Sequence, residues 1–225
     1  YMNHLSFALT SDGSKTLFNE EVGEHYHSRH GALQESKHVF LNTGLRYFLE
    51  KSGLKAAKIL EVGFGTGLNF LITADFCSEN NTQLDYTGIE AHPLEPEMIG
   101  DTGYGGYISP KLWNSFTDQY AEAQKSVVQI GKSCSLKIEA KKMLDFNSNE
   151  RFDVVYFDAF AAVHQPEMWN HESLKHISTF VKPGGVFVTY AITGDLKRTM
   201  KSLGFAIEKA PGAMGKREML RAVKM

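Results

Sequence analysis

Residues 60–70 read LEVGFGTGLNF. The apolar run that starts at Ile59 ends in an acid, Glu61, and glycines follow at 63, 65 and 67. Leu68 then opens LNFLITADFC (68–77), which reads as a helix with Asn80 and Asn81 beyond its end. Strand, glycine turn and helix in this order make the unit that holds a nucleotide at the carboxyl end of a strand. The dinucleotide fingerprint has the spacing G-x-G-x-x-G. Here the spacing is G-x-G-x-G, and Leu68 stands where the third dinucleotide glycine belongs. Glu61 marks a second difference, because a carboxylate repels a pyrophosphate and suits a cationic ligand.

The same alternation continues along the chain. LDYTGIE (84–90) reads as a second strand ending in an acid, Glu90, which can accept from both hydroxyls of a ribose. SLKIEA (135–140), FDVVYFDAF (152–160) and VFVTYA (186–191) read as further strands. FAIEKA (205–210) and EMLRAVKM (218–225) read as a closing antiparallel pair. Helices are expected over 34–51, 111–130, 167–181 and 195–203, and a short hairpin around the turn Ser11-Asp12-Gly13-Ser14. Residues 91–110, rich in proline and glycine, read as a long loop. These elements predict an α/β fold with a seven-stranded, mostly parallel sheet covered on both faces and a terminal antiparallel hairpin.

Bulk properties bound the function. The chain of 225 residues carries a net charge of −2, with a pI near 6.5. A basic nucleic-acid binder as a whole is excluded, but a local basic face is not. Residues 195–225 hold eight Lys and Arg against three acids, or +5, which leaves −7 elsewhere and predicts a phosphate-facing edge. Cys77 and Cys134 stand far apart in no metal-ligand spacing, which points to a reducing compartment. No apolar run of about 18 residues and no signal-peptide pattern is present, so no membrane and a cytoplasmic location are expected. His25, His27 and His30 raise a metal hypothesis, but no cysteine lies nearby and no metal is expected. Trp113, Phe116 and Tyr120 sit at helical spacing and read as core. Asp153, opening the strand that Asp158 closes, reads as structural.

Glu61-Val62-Gly63-Phe64-Gly65-Thr66-Gly67 is E-x-G-x-G-x-G, which resembles motif I of the class I S-adenosylmethionine-dependent methyltransferases. Four stretches go further: DGSKTLFNEEVGEHYHSRHGALQES (12–36), LEVGFGTGLNFL (60–71), DAFAAVHQPEMW (158–169) and KREML (216–220). Together they resemble the methyltransferase domain of the MnmC tRNA wobble-uridine modification family, over residues 9 to 223. Within that family's DAF stretch, Ala162 stands for a proline and Gln165 for an asparagine. Lys141-Lys142 stand where relatives carry Gly-Asp.

The resemblance implies a Rossmann-like class I methyltransferase fold with S-adenosylmethionine as cofactor. It implies methyl transfer to the exocyclic amine of 5-aminomethyl-(2-thio)uridine at the wobble position, in the anticodon stem-loop of tRNA. Residues 1–52 are then expected as an N-terminal substrate-side segment and helix, and 53–225 as the cofactor-binding part of one compact domain. Fused relatives add a flavin-dependent oxidase; this chain has no second dinucleotide fingerprint, so no flavin is expected. Cofactor contacts are expected from Glu61, Gly63, Phe64, Gly65, Gly67, Asn69, Glu90, Asp145 and Asp158. Substrate contacts are expected from Tyr26, His27, Phe160, Lys216 and Arg217. Asp158, closing the apolar VVYF strand, is expected to be catalytic: a carboxylate there can orient the amine or take its proton. Three alternatives stay open: methylation of another small amine or a protein, an inactive cofactor-binding module, and a dehydrogenase.

Overall fold

The turn at Ser11–Ser14 makes the expected hairpin. β1 (Leu5–Leu9) and β2 (Lys15–Asn19) pair antiparallel, and β3 (Glu24–His25) adds to β2. The computed structural model describes residues 4–225, so Tyr1, Met2 and Asn3 of the expected 1–52 segment lie outside the described residues. The hairpin turn has a second task. The first turn of any helix exposes N–H groups without partners. Here Thr10 Oγ1 accepts from Ala32 N, Ser14 Oγ from Leu33 N and Asp12 Oδ2 from Gln34 N, at 3.2, 3.1 and 3.0 Å. The turn thus caps helix α1 (residues 32–52) from about twenty residues away in sequence and docks the small sheet on the rest of the molecule. Glu35 and Ser36, next in this first turn, do not supply the cap. Glu35 Oε1 accepts from Ser28 N at 3.0 Å, and Ser36 is buried.

Helix α1 is continuous from Ala32 to Ser52, with Ala32–Glu35 and Tyr47–Ser52 α-helical and Ser36–Arg46 π-helical between them. Gly44 sits in its middle because the helix presses on the sheet there. A Cβ on Gly44 would lie 3.0 Å from the side chains of both Tyr156 and Val188.

The main sheet comprises β4 (Ala56–Val62), β5 (Gln83–Ile89), β6 (Val128–Ile130), β7 (Cys134–Glu139), β8 (Phe152–Phe157), β9 (Val181–Thr189), β10 (Phe205–Pro211) and β11 (Glu218–Lys224). The order is β10-β11-β9-β8-β4-β5-β7-β6. The pairs among β4, β5, β7, β8 and β9 are parallel, whereas β6 runs against β7 and β11 against β9 and β10. Eight strands replace the seven expected. The additional one, β6, falls in the stretch 111–130 expected as a helix. That helix stops at Ala123, and Val128 and Ile130 then turn inward around an exposed Gln129. Residues 91–110 also differ from the expected loop. They hold a short helix (Pro96–Asp101), started by proline at its first position, and a 3-10 turn (Tyr104–Gly106), with Met98, Ile99 and Tyr104 buried.

Helices α2 (Leu68–Glu79), α3 (Pro96–Asp101), α4 (Pro110–Ala123), α5 (His171–Ser178) and α6 (Gly194–Ser202) complete the layers. Alternation along β8 shows why both faces are covered. Val154 and Tyr156 join one apolar cluster with Phe40 of α1, Phe70 of α2 and Phe116 of α4. Val155 and Phe157 join a second with Leu174 of α5 and Met200 of α6. A strand buried on both sides reads as an unbroken apolar run, as FDVVYF does. Phe116 and Tyr120 are buried core residues, with Trp113 half-buried beside them. Asp153 is structural: Oδ2 accepts from Lys58 N at 2.7 Å and Oδ1 from Lys182 Nζ at 2.8 Å. From β4 the chain moves to β5 on one side and later to β8 on the other. That reversal opens a crevice at the carboxyl ends of these three strands.

Candidate active site

After Val62 the chain turns through Gly63, Gly65 and Gly67 at φ +86°, +52° and +78°. Gly63 is needed twice over, for its positive φ and for space, since a Cβ there would lie 2.3 Å from the carbonyl oxygen of Asp158. The loop is tied to the end of β5. Gly63 N and Phe64 N both donate to Ile89 O, and Gly65 N donates to Glu90 Oε2 at 2.9 Å. Glu90 Oε1 accepts from His92 N at 2.9 Å. A carboxylate can accept about four hydrogen bonds, so this half-buried group has capacity left for ribose hydroxyls.

Beneath the loop lies a buried polar chain. Tyr86 Oη donates to Glu61 Oε2 at 2.5 Å, and Asn69 Nδ2 donates to Glu61 Oε1 and to Asp158 Oδ2, each at 2.8 Å. Glu61 is fully buried, and burial pushes its carboxyl well above the usual range. Its partners Asn69 and Tyr86 lie inside the molecule, and it is not exposed at the crevice, where the motif predicts a cofactor contact. Phe64 also turns inward, packing near Phe70, Tyr86 and Phe116, so only its backbone serves the loop.

Asp158 follows β8 and faces this loop. Its carboxyl is pushed well above the ordinary range, first by burial and then by Glu35; Asn69 and Lys216 oppose that shift, and Glu24 adds to it. The surround comes from four distant segments. Tyr26 leaves β3 and lies against the glycine loop, 3.0 Å from where a Cβ of Gly65 would be, with its ring edge-on to Phe160 at 5.3 Å. Glu24 Oε2 accepts from Ala161 N at 2.8 Å. Tyr190, just past β9, donates to Ala159 O at 2.7 Å. Lys216 reaches back from the β10–β11 loop, with Nζ 4.2 Å from the centre of the Tyr190 ring and 3.8 Å from Glu35 Oε2.

Of the residues expected at the site, the structure brings Gly63, Gly65, Gly67, Asn69, Glu90, Asp158, Tyr26, Phe160 and Lys216 together. His27 turns away: it is buried, its backbone N–H donates to Thr16 Oγ1 at 3.0 Å, its ring Nδ1 lies 3.4 Å from the same oxygen, and burial lowers its imidazole to about 4. Arg217 is exposed on the loop, and Asp145 is exposed on the 3-10 turn Met143–Asp145 after β7. Glu24, Glu35 and Tyr190 were missed. Tyr190 follows the same rule that marked Glu90 and Asp158, a polar side chain just beyond the carboxyl end of a parallel strand. No three His, Cys, Asp or Glu side chains among the described residues are grouped to hold a metal ion. No helix among them is long and apolar enough to cross a membrane.

The residues present fit S-adenosylmethionine. Asn69 Oδ1 is buried with no donor, beside Asp158, and an α-ammonium group provides one. The glycine loop leaves its backbone open to close approach, and Glu90 stands at the ribose position of such folds.

Comparison with known proteins agrees. A family profile described as S-adenosyl-L-methionine-dependent methyltransferase matches residues 108–225. The tRNA 5-methylaminomethyl-2-thiouridine biosynthesis bifunctional protein MnmC of Aromatoleum aromaticum is 27% identical over 95% of this chain and 34% of its own length. The protein of the same name from Pseudomonas syringae is 29% identical over 90% of this chain and 32% of its own. The chain thus spans about a third of the length of the curated relatives it matches. The crystal structure of MnmC2 from Aquifex aeolicus superposes with a TM-score of 0.78 at 27% identity, covering 97% of this chain and 70% of that one. The sugar N-methyltransferase KedS8 from Streptoalloteichus shares the fold, with a TM-score of 0.51 at 12% identity over 85% of this chain and 87% of its own. The chain therefore belongs to the S-adenosyl-L-methionine-dependent methyltransferases, as a methyltransferase domain of the MnmC type.

Proposed function

We propose that this chain methylates the exocyclic amine of 5-aminomethyl-(2-thio)uridine at the wobble position of tRNA. The observation that carries this reading is Asp158: a carboxylate at the cofactor crevice, amid Tyr26, Phe160 and Tyr190. The names of the relatives support the substrate.

Bound S-adenosylmethionine supplies an electrophilic methyl carbon on a sulfonium. The chain must then present a neutral amine in line with it. A free alkylamine is mostly protonated at neutral pH, so its proton has to go before attack. Asp158 takes that proton, and its raised carboxyl is suited to the task because a base works best near the operating pH. The neutral amine would then displace the sulfur from the methyl carbon, the bonding pair going with the sulfur, and the extra proton of the product ammonium would leave to solvent. Asn69 holds Asp158 Oδ2 in place. Tyr26 and Phe160 provide aromatic faces against which an unstacked uracil packs. Positioning of this kind supplies much of the rate once the amine is neutral.

Replacement of Asp158 by alanine tests the assignment. Transfer should fall by at least about a hundredfold while S-adenosylmethionine binding, followed by calorimetry, is retained. Undiminished transfer in Asp158→Ala would remove the residue from the mechanism.

A further inference from the structure

The eight cations of residues 195–225 separate into groups in the structure. Arg221 is internal: its Nη2 lies 2.6 Å from Glu208 Oε2, and its guanidinium stacks 3.7 Å from the centre of the Tyr47 ring. Lys224 donates to Ser178 O at 2.7 Å, Lys216 lies over the Tyr190 ring and near Glu35, and Arg217 is exposed on the β10–β11 loop. Four others converge. Lys197, Arg198 and Lys201 of α6 and Lys209 of β10 line an open groove of about 450 Å³ with Gly194 and Ile207.

No carboxylate lines this groove. Arg198 pairs with Asp195 along its own helix, and Lys209 lies 3.8 Å from Glu218 across the hairpin, but both pairs are exposed and so bind weakly. Lys197 and Lys201 form no ion pair among the described residues. Spaced four apart, they lie on one face of α6. Ile207 and Lys209, two apart on β10, share the face toward that helix.

One end of the groove, at Gly194 and Lys209, lies toward the same sheet edge as the active site. α6 begins five residues after β9, whose carboxyl end lies beside that of β8, where Asp158 follows. β10 runs in the direction of β9, because β11 is antiparallel to both, and Lys209 is near its carboxyl end. β10 lies three strands from β8, or about 14 Å at the usual strand spacing. That is the reach of a nucleic-acid chain extending a few nucleotides from a base seated at Asp158. A free small amine would have no use for it.

We propose that this groove holds the phosphodiester backbone of the RNA substrate, outside the catalytic pocket, while the target base sits at Asp158. The assignment rests on the tRNA reading above. Point-charge ammoniums track phosphates without reading sequence, so binding here should be salt-dependent and indifferent to the bases.

The test is fluorescence anisotropy of the full chain with unmodified tRNA, at about 50 and 200 mM salt, comparing wild type with Lys197→Glu/Lys201→Glu. Lys197→Gln/Lys201→Gln serves as a milder second variant, and calorimetric binding of S-adenosylmethionine shows that each is folded. The expected result is tRNA affinity lower by about tenfold or more in the Glu variant, a salt slope reduced by roughly two, and cofactor binding unchanged. Methyl transfer in the variants should show a raised KM for tRNA and an unchanged kcat. Wild-type tRNA affinity in both variants would overturn the groove and leave the tRNA reading intact. Loss of tRNA binding in the variants, with no methylation of tRNA by wild type, would uphold the groove and sink the proposed reaction. Wild-type binding of a polyglutamate peptide but not of tRNA would overturn the proposal in favour of an acidic protein partner.

Discussion

At the scale of single residues, the site turns on carboxylates in contrasting surroundings. Glu61 is buried and shared between Tyr86 and Asn69, Glu90 is half-buried and braces the loop, and Asp158 lies against the loop beside Asn69. Because the carboxyl of Asp158 is raised and its charged form is the base, activity should fall as pH drops through a value above the ordinary carboxylate range. A pH profile of kcat/KM measures this acid limb. The Lys216 ammonium opposes the rise, so Lys216→Met should move the limb to higher pH. An unmoved limb would mean that Lys216 serves only to pack on Tyr190. The sequence announced Asp158 and Glu90 because both stand at the ends of apolar strands. It could not say which way Glu61 and His27 point. Those directions go with Tyr86 and Thr16, side-chain partners 25 and 11 residues away that only the fold brings near.

At the scale of elements, long periodic segments were legible and short ones were not. β8 is a run of six buried residues and α2 twelve helical ones, and both were plain in the chain. β6 has three residues and α3 six, too few for a period to show, and both are set by packing. Capping of α1 by Thr10, Asp12 and Ser14 was equally hidden, since the two partners lie about twenty residues apart. The glycine loop yields a sharp expectation. Gly63→Ala places a Cβ against the Asp158 carbonyl at positive φ, so it should cost more than about 1 kcal/mol of stability and weaken cofactor binding, measured by urea unfolding and calorimetry. Phe116 links α4 to Phe64, behind the loop, and is fully buried. Phe116→Ala should cost about 3–5 kcal/mol by the same urea measurement.

Across the whole molecule, stability is linked to pH through His27. Its folded pKa is lowered to about 4 by burial, against about 6.5 in the unfolded chain. Below about pH 6.5 the unfolded chain takes up a proton that the folded chain refuses. This contribution is therefore complete above pH 6.5 and is lost as pH falls toward 4, by up to about 3 kcal/mol. Urea midpoints across that window should fall less steeply in His27→Gln than in wild type. Charge is also organised at this scale. A chain of net −2 carries an excess of +5 in residues 195–225, and four of those cations line one groove between α6 and β10. The imbalance was countable in the sequence, but only the fold separates Arg221 and Lys224, which hold structure, from the lysines that line a groove.

The most direct test of the proposed reaction is nucleoside mass spectrometry of tRNA bearing 5-aminomethyl-2-thiouridine, incubated with this protein and S-adenosylmethionine. A mass gain of one methylene on the wobble nucleoside, absent with Asp158→Ala, is the predicted result. No gain, with cofactor binding intact, would contradict the assignment to tRNA and leave a methyltransferase whose amine lies elsewhere.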